Sequence, residues 1–433
     1  MNKKILVVVG VLILALIAVS LIFLPKTIIE KEDKLYRFSS EKEIYDSFLN
    51  THNLPLTMQG MEVRGMVAKA EAGGALGDDG GASYSETNIQ VEGVDEADII
   101  KIDGEYIYLI RNIYDYQTYK EKTELIIINS YPDSEIVSKT TFENFRAREL
   151  FIHEEKVVLF GQTSIPYSYL KGYQEEGEIY QTTEAVDVGD ASPERTSMIL
   201  PPYIPSMELS SVKIIDTEDK QNPQILKSFD FEGSYLTSRK INENVYFILN
   251  SYPRFNFLNN PTCYDIAPLY RETTTDINSE LEVIVPCDKI GYVSPVQAQS
   301  FLTIIGFSLD SLNLEKEVIV GSGQNIYAST KNLYVAQTTW PRFDNIGEPL
   351  EEYKQETVIS KFSLDSGKIV YQTTGRVEGY VLNQFSMDEH NGYFRIATTS
   401  QPFWGGSILF EPTIIEPMIV EEYLEEDVKV LEN

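Results

Sequence analysis

One phrase recurs five times in this sequence and constrains the fold more than any other feature: a polar turn followed by an alternating aromatic and aliphatic strand. The first copy is Asp103-Gly104-Glu105, then Tyr106-Ile107-Tyr108-Leu109. Glu154-Glu155-Lys156 leads into Val157-Val158-Leu159-Phe160, and Asn242-Glu243-Asn244 into Val245-Tyr246-Phe247-Ile248. Lys331-Asn332 precedes Leu333-Tyr334-Val335, and His390-Asn391-Gly392 precedes Tyr393-Phe394-Arg395-Ile396. Polar residues of this kind supply the tight, positive-φ turns of antiparallel hairpins.

Four of the five copies are followed by a second apolar strand, polar turn and apolar strand. These are Leu125-Ile126-Ile127-Ile128 before Val137, Val212 to Asp216 before Ile225-Leu226, Ile304 to Phe307 before Val318-Ile319-Val320, and Val358 to Phe362 before Ile369-Val370-Tyr371. Two hairpins per unit make a four-stranded antiparallel sheet with two apolar faces. Radial stacking covers each face with the next unit and leaves only short edges exposed. A β-sandwich built from the same hairpins is the competing arrangement, and the regular turn-then-strand phasing favours the radial one. The expectation is an all-β chain: a β-propeller of four-stranded antiparallel blades, preceded by one N-terminal transmembrane helix. About four and a half units are visible before the pattern ends near Thr399, so either the ring continues beyond this sequence or something else closes it.

Residues 1–25 carry the anchor signal. Ile5 to Leu24 is an uncharged run of 20 residues behind Lys3 and Lys4. As a helix it would be about 30 Å long, the thickness of a bilayer core. Ala18-Val19-Ser20 offers a signal-cleavage site, but the apolar run continues past it, which favours an uncleaved signal anchor over a secreted form. The expected location is a single-pass position in the cell membrane with the main domain extracytoplasmic.

Residues 26–83 read as a charged stalk and a Gly-rich linker. Within the stalk, Ser40 and Glu43 form a capping-box pattern ahead of the apolar face Ile44, Tyr45, Phe48 and Leu49. The propeller domain is expected over 84–400, with insertions of weak periodicity at 162–208 and 251–300 that would project as rim loops. An acidic tail occupies 401–433. The two cysteines, Cys263 and Cys287, both lie in the second insertion, without C-x-x-C spacing or a nearby histidine. A disulfide between them would close a loop of about 25 residues and add about 3 kcal/mol in the chain-entropy picture. That pairing fits an oxidising compartment, and two free buried thiols are the alternative.

A formal net charge of −30 repels phosphates and excludes a nucleic-acid partner. The acidic residues Glu92, Asp95, Glu96, Asp98 and Asp103 gather where the first blade begins, and Asp388 with Glu389 form a second pair before a strand. Hard oxygen ligands on loops suit calcium, so Asp95, Glu96, Asp98 and Asp103 are the candidate metal ligands. Strand alternation would place Asp95 on one face and Glu96 and Asp98 on the other, and convergence would need a bend, which Gly93 permits. The competing reading has these carboxylates accepting hydrogen bonds from turn amides.

Two longer blocks carry more than periodicity. Tyr84 to Tyr108 reads YSETNIQVEGVDEADIIKIDGEYIY, and Gly379 to Thr399 reads GYVLNQFSMDEHNGYFRIATT. Both closely resemble the signatures of a family of secreted prokaryotic proteins, largely archaeal, described as having a β-propeller domain distantly related to WD-40 repeats. The resemblance spans roughly residues 84–400. It implies the propeller fold and export, and no established activity. Members of that family continue past the second block with further blades, and this chain departs from them there.

Catalytic patterns are weak. A quinone-dependent propeller enzyme would use many docking tryptophans and often an adjacent cysteine pair, whereas only Trp340 and Trp404 occur and the cysteines are far apart. His52, His153 and His390 are the only histidines, two of them in repeat turns, and no G-x-S-x-G elbow is present. Arg395 is expected to pair with Asp388 or Glu389. The leading expectation is a binding or scaffold module with no catalytic residues and no cofactor, tethered to the membrane by one helix. Its partner would be an envelope protein, a polysaccharide or a peptide. The alternative is a calcium-dependent binder or an enzyme with its site at the central channel.

Overall fold

The computed structural model describes residues 34–52, 89–116, 120–171, 206–254, 261–276, 278–294, 296, 298–339 and 355–400. The apolar run Ile5–Leu24, the Gly-rich linker, residues 172–205 of the first expected insertion and the acidic tail lie outside these residues. No described helix is long and apolar enough to cross a membrane.

Residues 34–52 form two elements: strand β1 (Leu35–Arg37) and helix α1 (Glu41–His52). The expected capping box is present in modified form. Ser40 Oγ accepts from the Glu43 amide at 3.3 Å, and the Glu43 carboxylate turns back to accept from the amide and hydroxyl of Ser39, both at 2.7 Å. Of the apolar face, Ile44 and Phe48 are fully buried, while Leu49 stays exposed.

The first blade contains β2 (Ile100–Ile102), β3 (Tyr106–Asp115), β4 (Lys120–Asn129) and β5 (Ile136–Glu143), paired in that order. The second contains β6 (Arg146–His153), β7 (Lys156–Pro166), β8 (Ser206–Asp216) and β9 (Gln224–Glu232). The third opens with β10 (Ser234–Ile241) and β11 (Asn244–Ser251). An insertion then supplies helix α2 (Cys263–Ile266), β12 (Leu269–Glu272), β13 (Glu282–Val283), a 3-10 turn (Cys287–Lys289) and β14 (Gly291–Val293). The third blade resumes with β15 (Phe301–Ser308) and β16 (Leu314–Val320). β17 (Asn325–Ala328), β18 (Asn332–Thr339), β19 (Glu356–Asp365) and β20 (Lys368–Glu378) make the fourth, and β21 (Met387–His390) with β22 (Tyr393–Ile396) form a further hairpin.

Every strand read from the repeated phrase lies in this array, and each polar turn falls between the first two strands of a unit. Glu154, Asn242 and Asn391 adopt φ of 48°, 52° and 50°, the left-handed conformation such two-residue turns demand. The insertion does not extend any blade from within. It sends β12 and β13 to the outer edge of the second blade, in the order β13-β12-β9-β8-β7-β6, and β14 to the outer edge of the third. β1 then pairs with β14, giving the order β1-β14-β16-β15-β11-β10. Both outer edges are thereby covered by added strands.

Side-chain alternation explains why the sheets stack in sequence. On β11, Val245, Phe247 and Leu249 enter a core shared with Phe160, Val212 and Phe231 of the second blade. Tyr246 and Ile248, the intervening residues, enter a different core with Leu333, Val335 and Phe362 of the fourth. β7 repeats the arrangement: Val157 and Leu159 meet Tyr108, Leu125 and Ile127 of the first blade, and Val158 and Phe160 meet the third. Tyr334 and Ala336 of β18 pack with Met387, Phe394 and Ile396 of the final hairpin. A period of two along one strand therefore feeds two neighbours, the property expected of blades rather than of a two-layer sandwich.

Cys263 and Cys287 are joined in a disulfide that ties α2 to the 3-10 turn across a separation of 24 residues. Arg395 pairs with Asp388 across the final hairpin.

Candidate functional site

The first strand of each unit is a sheet edge, and the segment leading into the first blade lies along several of these edges. Asp95 exchanges backbone hydrogen bonds with Lys240 on β10, at 2.8 and 3.0 Å. Asp98 does the same with Leu150 on β6, at 3.2 and 2.7 Å. Gln90 Nε2 donates to the carbonyls of Gln384 and Met387, at 3.0 and 3.3 Å, beside the final hairpin. Val94 is buried in the core between the third and fourth blades. Residues 90–98 thus bridge the inner edges of three units. Gly93 makes the bend that this path needs: its φ is 81°, in a turn closed by the Val94 amide on the Val91 carbonyl.

The carboxylates singled out from the sequence meet cations and amides of the chain itself. Asp95 accepts from Lys101 Nζ at 2.7 Å and lies 3.5 Å from Lys240 Nζ. Lys101 is buried and also donates to the Glu96 carbonyl at 2.6 Å. Glu96 Oε1 pairs with Arg239 Nη2 at 3.2 Å. Asp98 Oδ1 accepts from the Ile99 amide at 2.7 Å. Asp103 is a turn residue: it accepts from the Glu105 and Tyr106 amides at 3.0 and 2.7 Å and from the Tyr108 hydroxyl at 2.8 Å. These four residues do not converge on one point, and no group of three or more His, Cys, Asp or Glu among the described residues is placed to hold a metal ion.

Around Arg239 the inner edge is densely polar. Its guanidinium donates to Thr237 Oγ1 at 2.6 Å, the Ser238 carbonyl at 2.7 Å and Gln384 Oε1 at 3.0 Å. Nearby, the Tyr235 hydroxyl donates to Glu149, which also accepts from Ser238 Oγ at 3.3 Å. Burial, with the Glu149 carboxylate beside it, holds the Tyr235 phenol well above its ordinary value. The sequence reading missed Arg239, Lys240, Lys101 and Glu149. The adjacent basic pair Arg239-Lys240, at the end of a unit's first strand, was the available signal.

A second candidate lies at the rim, where the insertion crosses between the second and third blades. A cleft of about 460 Å³ opens between β9, β12 and the turn before β16. Its floor includes the Tyr270 ring, with Lys316 Nζ 3.7 Å from the ring centroid. Arg271 is buried behind it and held by Asp230, with contacts of 2.9 and 3.0 Å. Lys227 pairs with Glu272 at 2.7 Å, and Glu280 with Lys171 at 3.0 Å. Three cations and three carboxylates line this cleft, a balanced set in a chain of net charge −30. Such a site suits a hydroxyl-rich or zwitterionic ligand that can lie on an aromatic ring. His153 and His390 sit at the ends of the β6–β7 and β21–β22 turns, apart from this cleft.

Comparison with known proteins agrees with the architecture. An uncharacterized protein of Archaeoglobus fulgidus is 25% identical over 364 residues, which cover 73% of this chain and 52% of that protein. One from Methanocaldococcus jannaschii is 26% identical over 338 residues, covering 73% of this chain and 50% of its own length. The chain therefore spans about half the length of the curated relatives it matches. A family model described as a beta propeller domain matches residues 84–431, the greater part of the sequence. With that match and with blades that share cores through alternate faces of single strands, the chain belongs to the beta propeller domain family.

Proposed function

We propose that this chain is a membrane-tethered, extracytoplasmic propeller that works as a binding or scaffold module through its rim. The observation that carries this reading is the open, charge-balanced cleft at the rim. At the inner edges, Asp95, Glu96, Asp98 and Asp103 are each engaged by a lysine, an arginine or a backbone amide of the same chain, so these four present no open ligand set. The charge-balanced cleft beside Tyr270 is open, and the insertion that frames it is closed by a disulfide. The disulfide and the apolar run Ile5–Leu24 both support a location outside the cytoplasm. A peptide or a polysaccharide segment is the occupant that the cleft's chemistry favours.

Two measurements test this. The full chain, solubilised in mild detergent, is applied to arrays of defined polysaccharides and peptides alongside the Lys316→Ala variant. Binding that weakens in the variant supports the rim reading, and binding that ignores Lys316 overturns it. In intact membranes, maleimide labelling of Cys263 and Cys287 should require prior reduction. Labelling without a reductant would remove the extracytoplasmic assignment.

A further inference from the structure

We infer that residues 35–52 are a strap that holds the propeller by its disulfide-bearing edge close to the membrane. The inference rests on the anchoring reading of Ile5–Leu24, and on a contact that the structure itself supplies. This part of the charged stalk is docked on the third blade in three ways. Leu35, Tyr36 and Arg37 pair with Val293, Tyr292 and Gly291 in an antiparallel ladder. Arg37 forms an ion pair with Glu317 at 2.8 Å and donates to the Lys289 carbonyl. The Phe38 ring packs at a tilt against Tyr292, centroids 4.3 Å apart, and Phe48 meets the Phe301 ring edge at 5.2 Å, with Ile44 buried beside them.

The seat for this segment is built by the insertion. α1 packs against α2 and the 3-10 turn, the two elements that Cys263 and Cys287 join. The disulfide therefore fixes the surface on which the helix rests. Chain length turns this contact into a statement about position. Leu24 and Leu35 are eleven residue steps apart, so this edge of the third blade lies within about 40 Å of the end of the apolar run. Without the strap, the next described residue tied to the propeller is Gln90, and the 66 residue steps from Leu24 to it would span more than about 200 Å at full extension. Docking the segment thus presents one edge of the propeller to the bilayer, where a free stalk would let the domain sample many orientations.

A cleavage experiment on the full chain separates these cases. A site for a sequence-specific protease is placed in the Gly-rich run of residues 72–81, and the protein is prepared in native membranes. After cleavage, the propeller fragment has no covalent link to the N-terminal segment. A strap predicts that the fragment still sediments with the membranes, that Ile44→Asp with Phe48→Asp releases it, and that Lys42→Ala, on the exposed side of α1, does not. The Cys263→Ser, Cys287→Ser double variant should release it faster than the parent. Prompt release of the parent fragment overturns the strap. Uncut chain that fails to sediment would refute the anchoring reading instead. In that case, co-elution of the two fragments on gel filtration still decides the docking, and separate elution overturns it. A melting transition retained in the Ile44→Asp, Phe48→Asp variant shows that release reflects lost docking rather than an unfolded propeller.

Discussion

Arg239 Nη2 stands 3.2 Å from Glu96 Oε1, joining the inner strand of the third blade to the segment that enters the first. The arginine is almost completely buried, whereas Glu96 keeps about a quarter of its side chain exposed. Arg239→Met should therefore cost less than a fully buried pair would, about 2–3 kcal/mol, because water can still reach the abandoned carboxylate. Chemical denaturation of the variant measures this. Adding Glu96→Gln to the same chain should restore part of the loss, and an unchanged midpoint in the single variant would refute the structural role of the pair.

The same pairing bears on calcium. Asp95 already faces two lysines, and Asp103 already accepts three hydrogen bonds. A calcium ion would have to displace these partners before gaining ligands. Titration with calcium should leave the melting temperature where it was, since a ligand stabilises only by binding the native state. A rise that saturates with calcium and disappears in Asp95→Asn would reverse this assignment.

Gly306, in the middle of β15, faces the turn of the fourth blade. A methyl group there would overlap the carbonyl oxygen of Gly367 and crowd the Tyr246 ring. The Gly367 amide, in turn, donates to the Tyr246 hydroxyl at 3.1 Å. Gly306→Ala should push the two blades apart and cost about 1–3 kcal/mol, the usual penalty of overpacking. Gly375→Ala, which meets nothing within 4 Å, is the matched control. Equal stability of the two variants would show that these blades are not in close contact.

Three of the raised phenols should contribute to the alkaline limit. Burial, with a carboxylate alongside, raises Tyr108 beside Asp103, Tyr235 beside Glu149 and Tyr334 beside Glu389. Each folded value lies above the unfolded value of 10.0, so the native state holds these protons more tightly than the unfolded chain. Their contribution is fully present below pH 10.0 and is lost as the pH rises from there towards the folded values. Denaturation midpoints should fall through that window, and Tyr235→Phe should make the decline shallower. A decline of the same steepness in Tyr235→Phe would exclude this phenol as a source.

Much of the architecture was legible because strands and turns are local. Asn242-Glu243-Asn244 reads as a turn whatever surrounds it, since only a few residue types tolerate positive φ there. Val245 to Ile248 reads as a strand with two apolar faces, and two faces require two neighbours. The candidate site was not legible in the same way. Asp95 and Glu96 are acidic in the sequence, but Lys240 and Arg239 reach them from about 145 residues away. Spacing along the chain carries no record of such a pair. The seat of the N-terminal helix was hidden for the same reason: Ser40 and Glu43 announce a helix, and nothing local announces Phe301 or Tyr292 beneath it.

The sequence alone determined the repeat, the hairpins and the turn residues, because hydrogen-bond geometry and side-chain alternation act over a few residues. It also set the acidic charge and confined both cysteines to one insertion. Tertiary structure decided which charges cancel, where the insertion lands and what the N-terminal helix rests on. Those outcomes depend on which surfaces meet when the blades stack, and that is fixed only by the packing of the whole.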